Sequence, residues 1–575
     1  MIALSYLTIV WVCAQTYNSP WTWAASATAQ RPNGSIARVA FPDALPGAGA
    51  LHGAVLLGPA VPQAEVKLGI TLKLRHPQAL RSLIAEQYDP KSPLFRHYLT
   101  VGQFATDFAP SEAQYASVEQ YLQQFGFSVR SYPDRTWISA QGTFAGAERA
   151  FGVAISRYRM ASGRAAFSAT SMPTLPAQVG GLVAGIAGLN DVVQPHPAGI
   201  IRKSPPASGG EIPPRLREDG LPQGSAACSG GGVDWGPGAS TEHLSPCGVA
   251  AAYDVGPLQA AGGNGTGVTV DILAAGYLNV SHLKAELGYF SQYFGLPAPV
   301  LDTSGGSGTP ATLVNIKEAH LDTQWLHAVA PAATMNLEVT GPSPEGMQQG
   351  YADAVNKDYP VVLNTYNFGE PSNYVNSTFD NLFLEAAAQG MTLVSASGDY
   401  GAYTAGNEWN FPAIDPWVTT VGGTRLAQNG TSPTGVQAPQ AISTATPEIG
   451  WEGSGGGVAT GGYGAPSWQT NVAPTGGYRN VPDLAFLAAA RPGGSLYWAD
   501  KGGWAHTAYG TSLAATIFAG IVADTDSFAN LGFAASPGAD LGLTTPTLYR
   551  FYQYQQSQNN DPLPQPQVVR DIPYN

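Results

Sequence analysis

From Cys247 onward the sequence alternates short apolar runs with helical stretches, and no other feature limits the fold so tightly. The runs lie at 268–273, 334–339, 361–366, 392–396 and 418–421. Helical patterns separate them, for instance at 316–329 and 378–389, the latter stopped by Gly390. Apolar residues fill these runs almost without polar alternation, so both faces of the sheet must be covered, and strands joined through helices run parallel. The predicted fold class is therefore α/β: a parallel sheet with helices on both faces. Functional residues of such sheets gather at the carboxyl ends of the strands.

The chain before that region reads differently. In 36–191, strand-like segments at 66–74, 128–131 and 137–141 alternate with amphipathic helices at 78–87 and 111–125, which predicts an α+β domain with its own core. Between the two regions, 192–245 carries SPPASGGEIPPR and CSGGGVDWGPGAS; such Pro, Gly and Ser density buries no core and predicts a mobile, protease-accessible linker. The opening MIALSYLTIVWVCA, followed by AASATAQ, has the length and small-residue ending of a signal peptide over 1–29, although no Lys or Arg precedes Arg31. Loss of that leader would remove Cys13 and leave Cys228 and Cys247, a pair that an oxidising compartment permits. With 27 Lys and Arg against 40 Asp and Glu, the net charge of −13 argues against a nucleic-acid partner. No later stretch of about 20 apolar residues predicts a membrane span. The expectation is a secreted monomer.

Three places in the third region carry chemistry. Glu318 and Asp322 stand at i and i+4, one above the other on a helix whose other faces carry Leu321, Trp325, Ala328 and Val329. Two like charges so placed repel unless they share a proton. Ser395-Ala-Ser-Gly-Asp399-Tyr-Gly401 ends a strand with a glycine-flanked acid. Gly510-Thr-Ser512 enters an apolar helix, where backbone N–H groups and the helix dipole support developing negative charge. A histidine triad would draw on His320 or His327, but neither is Gly-flanked or at a helix start, and both read as structural.

In order, on a parallel-sheet scaffold, these places resemble the sedolisin family, serine-carboxyl peptidases with a subtilisin-like fold. FPAIDPWVTTVGGT (411–424), WEGSGGGVATGGYGAPSWQ (451–469), RNVPDLA (479–485) and GTSLAATIFAG (510–520) are similar to its later landmarks. The region before the linker, including PLFRHYLTVGQFATDFAPS (93–111), is similar to the family's pro-kumamolisin-like activation prodomain, an α+β, ferredoxin-like domain. The resemblance implies a catalytic domain over 246–575 and an acid-active endopeptidase made as a zymogen. It implies Ser512 as nucleophile, Glu318 as general base, Asp322 as the acid orienting it and Asp399 as the oxyanion acid. Tripeptidyl-peptidase action stays open, since it depends on how the non-primed end of the cleft is closed. It further implies that Ser454, Gly455 and Gly456 offer a backbone edge to a peptide substrate. Protein or peptide substrates and the chain's own prodomain, as intramolecular inhibitor, are the implied partners. Acid would loosen the prodomain. Arg130, Arg135, Arg149, Arg157 and Arg159 would pair with acids on the catalytic domain, so salt would speed activation.

The sequence also departs from the family. Thr516 stands where the family usually has a proline four residues after the nucleophile, which would loosen Ser512. The segment 364–370 differs from the family's Ser-aromatic-Gly version. The family's calcium site opens with an Asp-Ile pair, matched by Asp571 and Ile572, but the rest of its loop is missing before Asn575; one carboxylate and one carbonyl fall short of the six to eight oxygens calcium takes. These departures motivate the alternative of an inactive homologue acting as a peptide-binding module.

Overall fold

A computed structural model describes residues 37–47, 49–198, 243–305, 311–368, 373–403, 410–426, 448–459, 463–470, 472, 476–490, 493–498, 503–533 and 540–558. In the first domain, β1 (Glu65–Leu72), β2 (Ser128–Ser131), β3 (Trp137–Thr143) and β4 (Val183–Ala187) form an antiparallel sheet in the order β2-β3-β1-β4. Helices α1 (Pro77–Gln87) and α2 (Glu112–Gln124) follow β1, and α3 (Phe144–Phe151) follows β3. This is the ferredoxin-like arrangement expected. The start of α2 is set locally. Ser111 Oγ accepts from the Gln114 N–H, and Gln114 Oε1 accepts from the Ser111 N–H, a reciprocal cap. The helix ends before Gly126, whose φ of 85° suits glycine.

The exit from this domain, β5 (His196–Pro197), leads to the large sheet. Its strands are β6 (Thr269–Ala275), β7 (Val300–Gly305), β8 (Thr334–Thr340), β9 (Val361–Asn364), β11 (Thr392–Ala396), β12 (Thr419–Leu426) and β13 (Glu448–Gly450), with the short β10 (Tyr366–Asn367) just after β9. The order is β7-β8-β6-β9-β11-β12-β13, and β14 (Leu484–Leu487) also pairs with β12. Every pairing is parallel except that of β12 with β13.

Side chains of β6 alternate between two cores. Val270 and Ile272 pack with α4 (Val280–Phe294), α5 (Leu313–Val329) and α8 (Thr511–Phe528), whereas Leu273 and Ala275 pack with α6 (Pro344–Lys357) and α7 (Asn373–Gln389). Both faces are thus covered, as the apolar runs require.

The first domain docks on α6 and α7. Trp137 and Ala187 join the core of that face, and Leu80, Ile84, Phe104 and Phe108 pack with Leu384, Ala387 and Ala388. Each large apolar side chain buried this way contributes roughly 1.5–3 kcal/mol. Backbone contacts fix the register: Leu99 N–H donates to Ala388 O (2.9 Å), and Asn381 Nδ2 to Leu72 O (2.7 Å). Of the five arginines, Arg130 crosses to Asp353 as an ion pair. Arg135 donates to the carbonyls of Pro110 and Ala105, and Arg157 to that of Pro59, all within their own domain. The expected arginine-to-acid pairing is thus present at Arg130 and absent at Arg135 and Arg157, and most of the interface described is apolar. Among its fully buried polar groups is a pair of carboxyls, Asp134 and Glu385, joined through Thr136. Burial holds both above the ordinary carboxyl range, and Asp134 raises Glu385 further. Both shifts favour a protonated pair at this contact.

Candidate active site

Helix α5 starts at Thr312, whose hydroxyl accepts from the Asn315 N–H, and every residue from Glu318 to Val329 is buried. Glu318 and Asp322 therefore have no solvent to carry their charge. Burial raises both carboxyls, and the charge of Glu318 raises Asp322 further. Asp322 is held on both oxygens: Thr365 Oγ1 donates to Oδ2 (2.8 Å), and Thr516 Oγ1 to Oδ1 (3.0 Å). The nearby hydroxyls of Ser512 and Thr365 partly offset the rise at Glu318. Even so, Glu318 Oε1 and Ser512 Oγ are buried without a hydrogen bond of ordinary geometry.

Ser512 is the second residue of α8. The N-cap is Gly510, which has no side chain to offer. Asp399, just past the end of β11, takes that task from outside: its Oδ1 accepts from the Thr511 N–H (2.7 Å) and from Thr511 Oγ1 (2.8 Å). The Ser512 hydroxyl is thus not needed as a cap. Gly510 has φ 97°, and a Cβ there would collide with Asp399 Oδ2, so the acid lies directly against the start of the helix. Burial pushes Asp399 up to about 7, against the lowering effect of both Thr511 bonds, and Glu318 adds to the rise. Its Oδ2 is buried and makes no hydrogen bond. A neutral carboxyl in this state presents a donor with nothing to donate to.

The four residues Glu318, Asp322, Asp399 and Ser512 are therefore brought together. Ser454, Gly455 and Gly456 lie beside them along the Asp399 turn, where their glycines also serve a packing purpose. Gly455 N–H donates to Gly398 O (2.6 Å), Tyr403 N–H to Gly456 O (2.8 Å), and a Cβ at Gly455 would run into the Ser397 carbonyl. The run braces the turn by close approach of two backbones. Another edge is paired in the manner of a peptide: β5 lies antiparallel to β10, and Ala198 N–H donates to Thr365 O (2.7 Å). The segment read from composition as linker therefore begins as a strand against 365–367. Asp571 and Ile572 lie outside the described residues.

Sequence reasoning missed Thr365 and the role of Thr516. Thr516 is not a loosening substitution, since its hydroxyl bonds both Asp322 and Ser512 O. The histidines behave as structural groups. His320 pairs with Glu286 and Ile316 O. His327 bonds Pro297 O (3.0 Å), and burial lowers it to about 4. Cys247 is disulfide-bonded, its partner lying outside the described residues. No helix among the described residues is long and apolar enough to cross a membrane.

Residues 52–192 match the family described as "Pro-kumamolisin, activation domain". The chain is 30% identical over 519 residues to xanthomonalisin of Xanthomonas sp. (strain T-22), an alignment covering 81% of this chain and 58% of that protein. It is 28% identical over 509 residues to sedolisin of Pseudomonas sp. (strain 101), covering 83% of this chain and 79% of that protein. The solved structure of Pseudomonas sedolisin complexed with two molecules of pseudo-iodotyrostatin aligns at 26% identity and TM-score 0.45, over 56% of this chain and 88% of that one. With an activation domain at one end and this assembly of carboxyls and serine at the other, the chain belongs to the sedolisin family of serine-carboxyl peptidases.

Proposed function

We propose that the chain is a secreted, acid-active serine endopeptidase made as a zymogen, with protein or peptide substrates. One observation carries the reading: the buried Ser512 hydroxyl lies close enough to Glu318 to offset its rise, Asp399 interacts with the same Glu318, and Ser512 Oγ, Glu318 Oε1 and Asp399 Oδ2 are buried without a hydrogen bond of ordinary geometry. Buried polar atoms are normally paired, and three exceptions together suit a site that awaits a reacting group. Ser512 Oγ attacks the carbonyl carbon of a peptide bond while Glu318 takes its proton. Asp322 keeps the carboxyl pair, which titrates as a unit, aimed at the serine. Protonated Asp399 donates from Oδ2 as the carbonyl oxygen gains charge. Glu318 then gives its proton to the leaving amine, the C–N bond breaks, and water releases the acyl group from Ser512 by the reverse sequence.

The pH dependence follows from Asp399. It donates only while protonated, so activity falls as pH rises through about 7. The prodomain acts as intramolecular inhibitor, with its exit strand lying along β10 until cleavage beyond Ala198 releases it. The test is incubation with a denatured protein at about pH 4, near the ordinary carboxyl range. Cleavage by the wild type and none by Ser512→Ala supports the reading; equal results for both overturn it.

A further inference from the structure

We infer that Thr516 is a positioning residue that keeps Asp322 hydrogen-bonded in both of its protonation states and ties it to the helical turn bearing Ser512. The inference rests on the catalytic reading of Ser512, Glu318 and Asp322, and deepens it.

The geometry is a chain of three groups. Thr516 Oγ1 lies 3.0 Å from Asp322 Oδ1 and 2.9 Å from the carbonyl oxygen of Ser512. A threonine bonding the carbonyl four residues back is ordinary helix behaviour. A second acceptor on another helix is not, and a hydroxyl has only one proton for the two acceptors. When Asp322 is ionised, the hydroxyl donates to Oδ1. When Oδ1 carries a proton, Asp322 donates to Thr516 Oγ1, and the hydroxyl hydrogen turns to the Ser512 carbonyl. The heavy atoms stay in place in both states, and neither Asp322 Oδ1 nor Thr516 Oγ1 is left unpaired. Valine would leave Oδ1 without this partner when ionised, at a position buried from solvent.

Other titratable groups surround Asp322. Glu318 lies on the same helix, and the Tyr366 phenol on β10 is held protonated by burial and by both carboxyls. Lys317 and Asp399 interact with Glu318. The Glu286–His320 pair joins α4 to α5. Thr365 holds the opposite oxygen, Oδ2, so Thr516 is the hydroxyl responsible for Oδ1.

The test compares Thr516→Val with Thr516→Ser. Valine should lower kcat about 10–100-fold with KM nearly unchanged, as expected for a misplaced catalytic group. It should also move the acid limb of the pH–rate profile up by about one unit, because the ionised carboxyl loses a donor. Serine should restore both. A valine variant with the wild-type profile, or a serine variant as impaired as valine, overturns the inference; the latter would mean that the methyl group matters and the hydroxyl does not.

A second measurement needs no turnover. In the full chain carrying Ser512→Ala, the melting temperature of Thr516→Val is followed with pH. The Asp322 carboxyl is raised on folding, so its cost to stability grows as pH climbs above its unfolded value of about 4. Without the Thr516 donor that cost is larger, and the deficit of the valine variant should widen between pH 4 and pH 8. A deficit equal at every pH overturns the inference. Should the wild type cleave nothing, the peptidase reading fails, while the thermal measurement still decides on Thr516.

Discussion

Two groups of buried carboxyls flank the same sheet and have opposite characters. Glu318 and Asp322 belong to a helix on one face, with Asp399 beyond a strand end; Glu385 belongs to a helix on the other face and meets Asp134 of the docked domain. Burial is the first cause of the raised pKa in all five. What differs is how their atoms are used. Around Glu385, Gln389 Nε2 donates to Oε1 (2.9 Å) and Thr136 Oγ1 lies 3.2 Å from Oε2, while its partner Asp134 keeps one oxygen, Oδ1, without a hydrogen bond. Around Ser512, one oxygen of each key group has no hydrogen bond. A displaced pKa, even with an unpartnered carboxyl oxygen, therefore does not mark chemistry; what sets the group around Ser512 apart is the unpartnered Ser512 hydroxyl beside Glu318.

The largest expected effect breaks the catalytic side of this contrast. Asp399→Ala should lower turnover in acid by about 10²–10³, the usual cost of one oxyanion donor. Asp399→Asn donates at any pH and should keep part of the turnover while losing the decline near 7. Turnover unchanged by both substitutions would mean that this acid is as passive as the interface pair.

The next effect sharpens the interface side. Glu385 is raised on folding, so the docked state holds a proton that the unfolded chain has lost, and this contact weakens as pH rises above about 4. Glu385→Gln removes that dependence. In the Ser512→Ala full chain it should raise stability at pH 8 by roughly 1–3 kcal/mol, the scale of a buried group's desolvation, with little change at pH 4. Equal shifts at both pH values would show that the pair does not titrate with docking.

The smallest effect concerns charge. Arg130 is half-exposed where it meets Asp353, so Arg130→Ala or added salt should change prodomain release by no more than about 1 kcal/mol. A strong salt acceleration of activation would restore the arginine-rich picture of the interface.

The sheet was legible in its unbroken apolar runs; the i, i+4 acid pair, the glycine-flanked acid after a strand and Gly-Thr-Ser before an apolar helix are weak marks singly, and the four residues took their roles from the family resemblance. Thr365 and Thr516 leave none, since they act on a carboxyl 43 and 194 residues away. Arginine density in the first domain said nothing about which side the guanidinium groups face, and two that were counted for the interface bond their own domain's carbonyls. Gly455 shows a related ambiguity: a glycine serves an open edge and a tight backbone crossing equally well, and only the position of the Ser397 carbonyl decides. Composition likewise read 192–245 as loose, yet a strand pairing is satisfied by partners that composition does not record.

Gly510 has the widest reach of these details. An acid and a hydroxyl from positions 112 residues apart, Asp399 and Thr511, share one place because a methyl group is missing beside them at Gly510. At that codon the genetic alphabet is effectively reduced to a single letter: even alanine, harmless almost anywhere else, would push the acid off its mark and dismantle the chemistry without touching a functional group.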